Sequence, residues 1–256
     1  MMLAEARGLV VEHRGATLVG PVDIAIEQGE FLGIVGPNGA GKSSLLRAIA
    51  GLEPIGAGTL ERAGAAGRRS IGLLFQHHDF VPELPLTVED VVNAGRSGRV
   101  AIGPLFRVED RRAVDDALEL LGLGSMRGRL YRELSGGERQ KVQLARLVAQ
   151  EADLLLLDEP AAGLDLDWQE RLNALVADLH RATGVAVVMV THEVHHLPPC
   201  CDRVLLLRDG RVVARGAPAE VFTEALLSEL YGCRMEISQR GGRFFAHSLG
   251  PAGETG

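Results

Sequence analysis

Aromatic residues make up only 4% of this chain of 256 residues, and tryptophan occurs once. Core filling therefore falls to Leu, Val and Ala, within an apolar content of 46%. Cysteine is scarce too. Cys200, Cys201 and Cys233 are an odd number and form no C-x-x-C pair, which argues against a disulfide framework and for reduced thiols without a catalytic role. No apolar run approaches the ~20 residues that cross a bilayer as a helix. The opening Met1-Met2-Leu3-Ala4-Glu5 lacks the basic-then-apolar pattern of a secretion signal, so a cytoplasmic protein is expected. Long basic stretches are missing and the net charge is −7, which argues against nucleic acid as a partner. No internal repeat is visible. The length suits one large α/β unit with an inserted lobe.

Against that background two glycine-rich segments stand out. The first, Gly36-Pro37-Asn38-Gly39-Ala40-Gly41-Lys42-Ser43, fits G-x-x-x-x-G-K-[ST] and is followed by Ser44. It lies between the apolar run Phe31–Val35, which suits a buried strand, and the helical spacing of Leu45, Leu46, Ile49 and Ala50. In that context the glycines turn backbone N–H groups toward an anion, aided by the helix N-terminus. Lys42 is expected to reach the β- and γ-phosphates of a nucleotide, and the Ser43 hydroxyl to ligate Mg²⁺.

The leucine run 154–157 turns abruptly acidic at Asp158-Glu159. Ligands collect at the carboxyl ends of strands in open α/β sheets, so Asp158 is expected beside the P-loop on Mg²⁺. Glu159, pointing elsewhere, is the expected general base for an attacking water. The second glycine turn, Ser135-Gly136-Gly137-Glu138, has the S-x-x-E form of a helix capping box. Its helix runs through Val142, Ala145 and Ala149, and its uncovered N–H groups can accept a phosphate.

Together these motifs resemble the ATP-binding cassette (ABC) ATPases, over roughly residues 5–220. The resemblance implies an α/β P-loop NTPase (RecA-like) core with flanking antiparallel strands and an inserted helical subdomain. The core takes residues 1–79 and 151–256 and the helical subdomain, with the second glycine turn, residues 80–150. It implies ATP and Mg²⁺ as cofactors and a head-to-tail dimer, homo- or heteromeric, in which Ser135, Gly136 and Gly137 of one copy meet ATP held on the other's P-loop. It implies three further site residues. Gln76, after the apolar run 71–75, matches the glutamine loop that contacts Mg²⁺ or water. Asp165 matches the loop that crosses the dimer, and His192, after the strand 185–190, matches the switch histidine. Adenine usually stacks on an aromatic residue upstream of the P-loop; the matching place here is His13, a smaller ring. Ala161 stands where many relatives carry a hydroxyl.

A cassette ATPase without a membrane segment is expected to drive a separate transmembrane permease, peripheral on the inner face of the cell membrane, with 77–86 as the docking segment. A solute-binding protein is a possible further component of such a system. The stretch 216–232 resembles ATPases of metal-ion and iron-chelate importers; exporter ATPases and non-transport ABC ATPases are the alternatives.

One rival comes from another class. His192-Glu193-Val194-His195-His196 satisfies HExxH, the zinc-protease pattern. Its first histidine directly follows a β-rich run, and Pro198-Pro199 cut any helix short, so zinc hydrolysis is not expected. His77-His78-Asp79 is read as a loop, solvated or partner-facing, rather than as a metal site. Toward the C-terminus, 203–207 and 211–214 read as a hairpin across Asp209-Gly210, followed by one short helix ending near Tyr231. Residues 235–237 and 244–245 suit either a small hairpin or a strand pair on a partner, and the chain is expected to be disordered from about Gly250.

Overall fold

The structure is a computed structural model that describes residues 1–62, 71–75, 84–97 and 108–251. Its centre is a six-stranded sheet in the order β5-β6-β7-β3-β8-β9. The strands are β3 (Phe31–Val35), β5 (Ile71–Leu74), β6 (Leu154–Asp158), β7 (Ala186–Thr191), β8 (Arg203–Arg208) and β9 (Arg211–Gly216). All pairs are parallel except β8–β9. β3, β6 and β7 are buried along their whole length, as expected for parallel strands covered on both faces.

The sequence alternation within these runs sorts side chains to opposite faces. Leu32, Ile34, Leu154, Leu156, Val188 and Val190 join one core with helix α1 (Lys42–Ala50) and a three-stranded antiparallel sheet. That sheet has the order β2-β1-β4, with β1 (Met2–His13), β2 (Ala16–Glu27) and β4 (Ile55–Arg62). Phe31, Val35, Leu155, Leu157, Val187 and Met189 face the other way, into a core shared with the remaining helices.

Helices α2 (Val88–Asn93), α3 (Val108–Leu120) and α4 (Gly136–Ala149) pack on one another. Thr87 and Asp90 form a capping box at the start of α2, the device their spacing suggests. Gly122, after α3, has a φ of 64° and ends the helical run. Helix α5 (Leu166–Thr183) leads back to β7, with Gly184 left-handed at its end.

Two features differ from the sequence reading. β4 was not anticipated: only Leu60 in it is even half-buried, so it has no apolar alternation to read. The single helix expected after Pro218 is two, α6 (Pro218–Val221) and α7 (Glu224–Tyr231), because Thr223 caps a fresh start by accepting from Leu226 N. Of the two readings of the tail, the structure shows the hairpin: β10 (Cys233–Arg240) and β11 (Arg243–Pro251) pair antiparallel, and the residues after 251, where disorder is expected, lie outside the described ones. Phe244 of that hairpin meets Phe222 edge-on at 5.3 Å.

Candidate functional site

The ends of β3, β6 and β7 converge. β7 lies between the other two, with Val35 opposite Thr191 and Asp158 opposite Val190. The loop after β3 wraps a cleft of about 370 Å³ lined by Leu18, Asn38, Gly39, Ala40, Gly41, Lys42, Ser43, Ser44 and Glu159, within the size range of small-molecule sites. Two glycines are sterically required. A Cβ on Gly36 would stand 2.0 Å from Leu207 O, and Gly41, at φ 93°, would bring one 2.4 Å from Val19 Cγ2. Gly41 is also the N-cap of α1, where no side chain caps the helix, so its first N–H groups stay available to an anion.

Lys42 is buried, with Nζ donating to Gly36 O at 2.9 Å and Pro37 O at 3.0 Å and lying 3.4 Å from Glu159 Oε1. Burial holds its ammonium below the ordinary lysine range, although Glu159 and Asp158 pull the other way. Ser43 Oγ donates to Asp158 Oδ1 at 2.8 Å. Burial pushes the Asp158 carboxyl above its ordinary range, opposed by that hydrogen bond and by Arg47 and Lys42.

Glu159 is held in an unusual place. Its φ is 46°, its N–H donates to Val190 O at 3.0 Å, and its side chain is buried. A left-handed non-glycine residue is uncommon and clusters at functional sites. The turn aims one carboxylate oxygen at Lys42 and the other at His192, whose Nδ1 is 3.0 Å from Glu159 Oε2. A lysine on one side and a histidine on the other suit a carboxylate that handles a proton.

The second glycine turn sits elsewhere. Ser135 caps α4: its Oγ accepts from Glu138 N at 3.3 Å, and its own N–H donates to Glu138 Oε2 at 2.8 Å. That backbone hydrogen bond holds the Glu138 carboxyl below its ordinary range. Gly137 packs so closely on the Trp168 indole that a Cβ would come within 2.8 Å of it, whereas Gly136 is exposed with nothing near. Asp165 caps α5 by accepting from Trp168 N at 2.9 Å. Neither Ser135, Gly136, Gly137 nor Asp165 lines the P-loop cleft. His13 ends β1 at an exposed hairpin and does not line it either. Gln76, His77, His78 and Asp79 lie outside the described residues.

The HExxH segment is not a helix. His192 follows β7 directly, and Val194–His196 form one 3₁₀ turn. Three residues around the site carried no sequence signal. Leu18 lines the cleft. Gln140 Nε2 donates to Pro160 O at 2.7 Å, tying α4 to the turn after Glu159. The Tyr231 hydroxyl donates to His192 O at 2.7 Å, clamping the histidine's backbone from α7.

The ABC transporter family profile matches residues 19–162, more than half of the chain. The hemin import ATP-binding protein HmuV of Streptomyces coelicolor is 42% identical over 92% of this chain and 85% of its own length. The zinc import ATP-binding protein ZnuC of a Ruegeria strain is 37% identical over 91% of this chain and 87% of its own length. Among solved structures, an inward-facing ABC transporter described as of metal-chelate type superposes with a TM-score of 0.85 at 27% identity, covering 99% of both chains. A dimeric bacterial ABC transporter cassette gives 0.72 at 25% identity, over 84% of this chain and 99% of its own. This chain belongs to the ABC transporter family, as one of its ATP-binding, ATP-hydrolysing proteins.

Proposed function

We propose that this chain powers uptake of a metal ion or iron chelate, as one of two cassettes closing on ATP and driving a separate transmembrane permease. The observation that carries the catalytic part is the line Lys42–Glu159–His192, at 3.4 and 3.0 Å. In this reading Lys42 and the N–H groups of residues 36–44 hold the β- and γ-phosphates. Glu159 takes the proton from the attacking water, and His192 positions that carboxylate and the γ-phosphate. Ser43 and Asp158 offer adjacent hard oxygen donors, which fit Mg²⁺. When bound, that ion supplies charge neutralisation on the phosphates. Gln76 is proposed to join it, and His13 to take the adenine.

Ser135, Gly136, Gly137 and Asp165 are proposed to act in trans, on ATP held by the other copy. Support comes from their separation from the P-loop cleft of their own chain and from the exposure of Ser135 and Gly136. The division into a core of 1–79 and 151–256 and a helical subdomain of 80–150 belongs to the same reading. So do a permease contact around 77–86, where Leu84 is largely exposed, and a position on the inner face of the membrane. Among the described residues no helix is long and apolar enough to cross a membrane. The importer assignment rests on relatives named for import of hemin and zinc, and a solute-binding protein would complete such a system.

The test is to recover tagged Glu159→Gln from solubilised membranes with ATP and Mg²⁺ and identify what co-purifies. A polytopic membrane protein is expected, and a solute-binding protein with it marks an importer. Recovery of soluble partners alone contradicts a transport role.

A further inference from the structure

Beyond the ATP site, the turn after His192 brings Glu193, His195 and His196 together. One ligand atom from each lies within 4.8 Å of the others, the one such group of three among the described residues. Glu193 Oε2 is 3.1 Å from His195 Nε2 and 3.2 Å from His196 Nε2. In a tetrahedral site with metal–nitrogen bonds of about 2.0–2.1 Å, neighbouring ligand atoms stand roughly 3.3 Å apart.

The hydrogen bonds around Thr191 say what His196 presents to this cluster. Thr191 Oγ1 donates to Glu193 O at 3.2 Å and accepts from Glu193 N at 3.0 Å. Thr191 has one proton to give, and where it goes to Glu193 O an acceptor position remains for the nearby His196 Nδ1 at 3.1 Å. His196 Nδ1 is then the donor, and Nε2 carries the lone pair. Yet Nε2 is buried without a hydrogen-bond partner, on a residue only 5% exposed. A cation between Nε2 and the Glu193 carboxylate, whether a metal ion or a proton, satisfies both groups. The Thr191 hydroxyl has the place of a residue that orients a metal-ligating histidine. The Phe245 ring, stacked on His195 with planes 9° apart, fixes the other imidazole from the C-terminal hairpin. Glu193 and His195 are partly exposed, so the cluster is open to solvent on one side.

We propose that Glu193 Oε2, His195 Nε2 and His196 Nε2 bind a divalent transition cation of the zinc class, and that its binding slows ATP turnover. Two imidazoles and a carboxylate suit that class rather than Mg²⁺. The link to turnover is short. Glu193 Oε1 lies 3.7 Å from His192 Nε2, and His192 Nδ1 lies 3.0 Å from Glu159 Oε2. A cation that claims Glu193 withdraws its carboxylate from His192 and sets positive charge beside it. This ligand set differs from that of HExxH, which would use His192 and His196, so it implies no hydrolase.

The experiment uses the full chain without a histidine tag, stripped with chelator and free of nucleotide. Zn²⁺ binding is followed by equilibrium dialysis, and Co²⁺ binding by its visible absorption. One Zn²⁺ per chain is expected, with a Co²⁺ spectrum lacking thiolate bands. Glu193→Gln and His195→Ala, both at partly exposed positions, should each weaken binding by at least about 10-fold, and Cys200→Ser with Cys233→Ser should leave it unchanged. Thermal melts of each variant verify folding. Absence of Zn²⁺ binding, binding that survives both ligand variants, or binding lost with the cysteines overturns the site; the cluster is then an ion-paired loop brace. The turnover arm rests on the roles proposed for Glu159 and His192, and the binding arm does not. Zn²⁺ should lower the ATPase rate of the wild type, but not that of the two ligand variants relative to their own zinc-free rates. Equal inhibition of all three contradicts the coupling even where the site binds.

Discussion

The P-loop cleft and the Ser135 turn are both glycine-rich helix starts, yet the chain treats them differently. At the cleft, no side chain caps α1, and polar side chains meet one another: Lys42 and Glu159, Ser43 and Asp158, Glu159 and His192. At the Ser135 turn, the helix caps itself through Ser135 and Glu138, and its outermost residues lie exposed. One site is assembled within the chain and the other is a finished surface. The difference teaches that fold stability and catalytic completeness are separate here. The second turn needs no nucleotide to be stable, and the first gathers buried charge that a bound ligand can offset.

Substitutions can break this contrast, beginning with the largest effect. Glu159→Gln keeps the shape and removes the proposed base, so steady-state hydrolysis should fall by about 10²–10⁴-fold while ATP still binds. A wild-type rate contradicts the assignment. Lys42→Ala removes a charge-assisted contact of roughly 1.5–3 kcal/mol, so ATP affinity measured by calorimetry should weaken by about 10–100-fold. Ser135→Arg should act only between copies. A misfit at the centre of an interface costs about 2 kcal/mol or more, so ATP-driven dimerisation, followed by sedimentation, should weaken by roughly 30-fold while monomer affinity holds.

Two smaller effects sharpen the comparison from the side of stability. Burial disfavours the charged form of Asp158 and pushes its carboxyl above the ordinary range. Asp158→Asn, which still accepts from Ser43, removes that burial cost, so nucleotide-free stability should rise while Mg²⁺-dependent turnover falls. A lowered melting temperature contradicts this. Glu138 has the opposite sign, with its folded carboxyl held below the ordinary value of 4.5. Its stabilisation is present above that pH and is lost as pH falls through the folded value. Glu138→Gln should flatten that acid limb of the stability profile, and an unchanged limb removes the capping account.

Much of this was legible in the chain. Runs such as Phe31–Val35 and 154–157 are short, apolar and bounded by glycine or acid, which is how strands buried on two faces read. Capping boxes at Thr87 and Ser135 announce themselves because their chemistry is local. What escaped depends on distant contacts. β4 is mostly exposed and held by pairing with β1, which leaves no periodicity. Leu18 reaches the cleft because β2 passes beside Gly41. The left-handed turn at Glu159 follows from its bond to Val190, on a strand much later in the chain. The Glu193–His195–His196 group was visible only as a zinc-protease pattern, since its real partner, the Thr191 hydroxyl, gains meaning from geometry alone.

The central claim is that a complete ATP site forms between two copies. Its most direct test is the mass of Glu159→Gln in solution with Mg²⁺ and ATP, beside the same protein carrying Ser135→Arg. The account predicts an ATP-dependent dimer for the first and a nucleotide-bound monomer for the second. A dimer that forms equally well in both contradicts it.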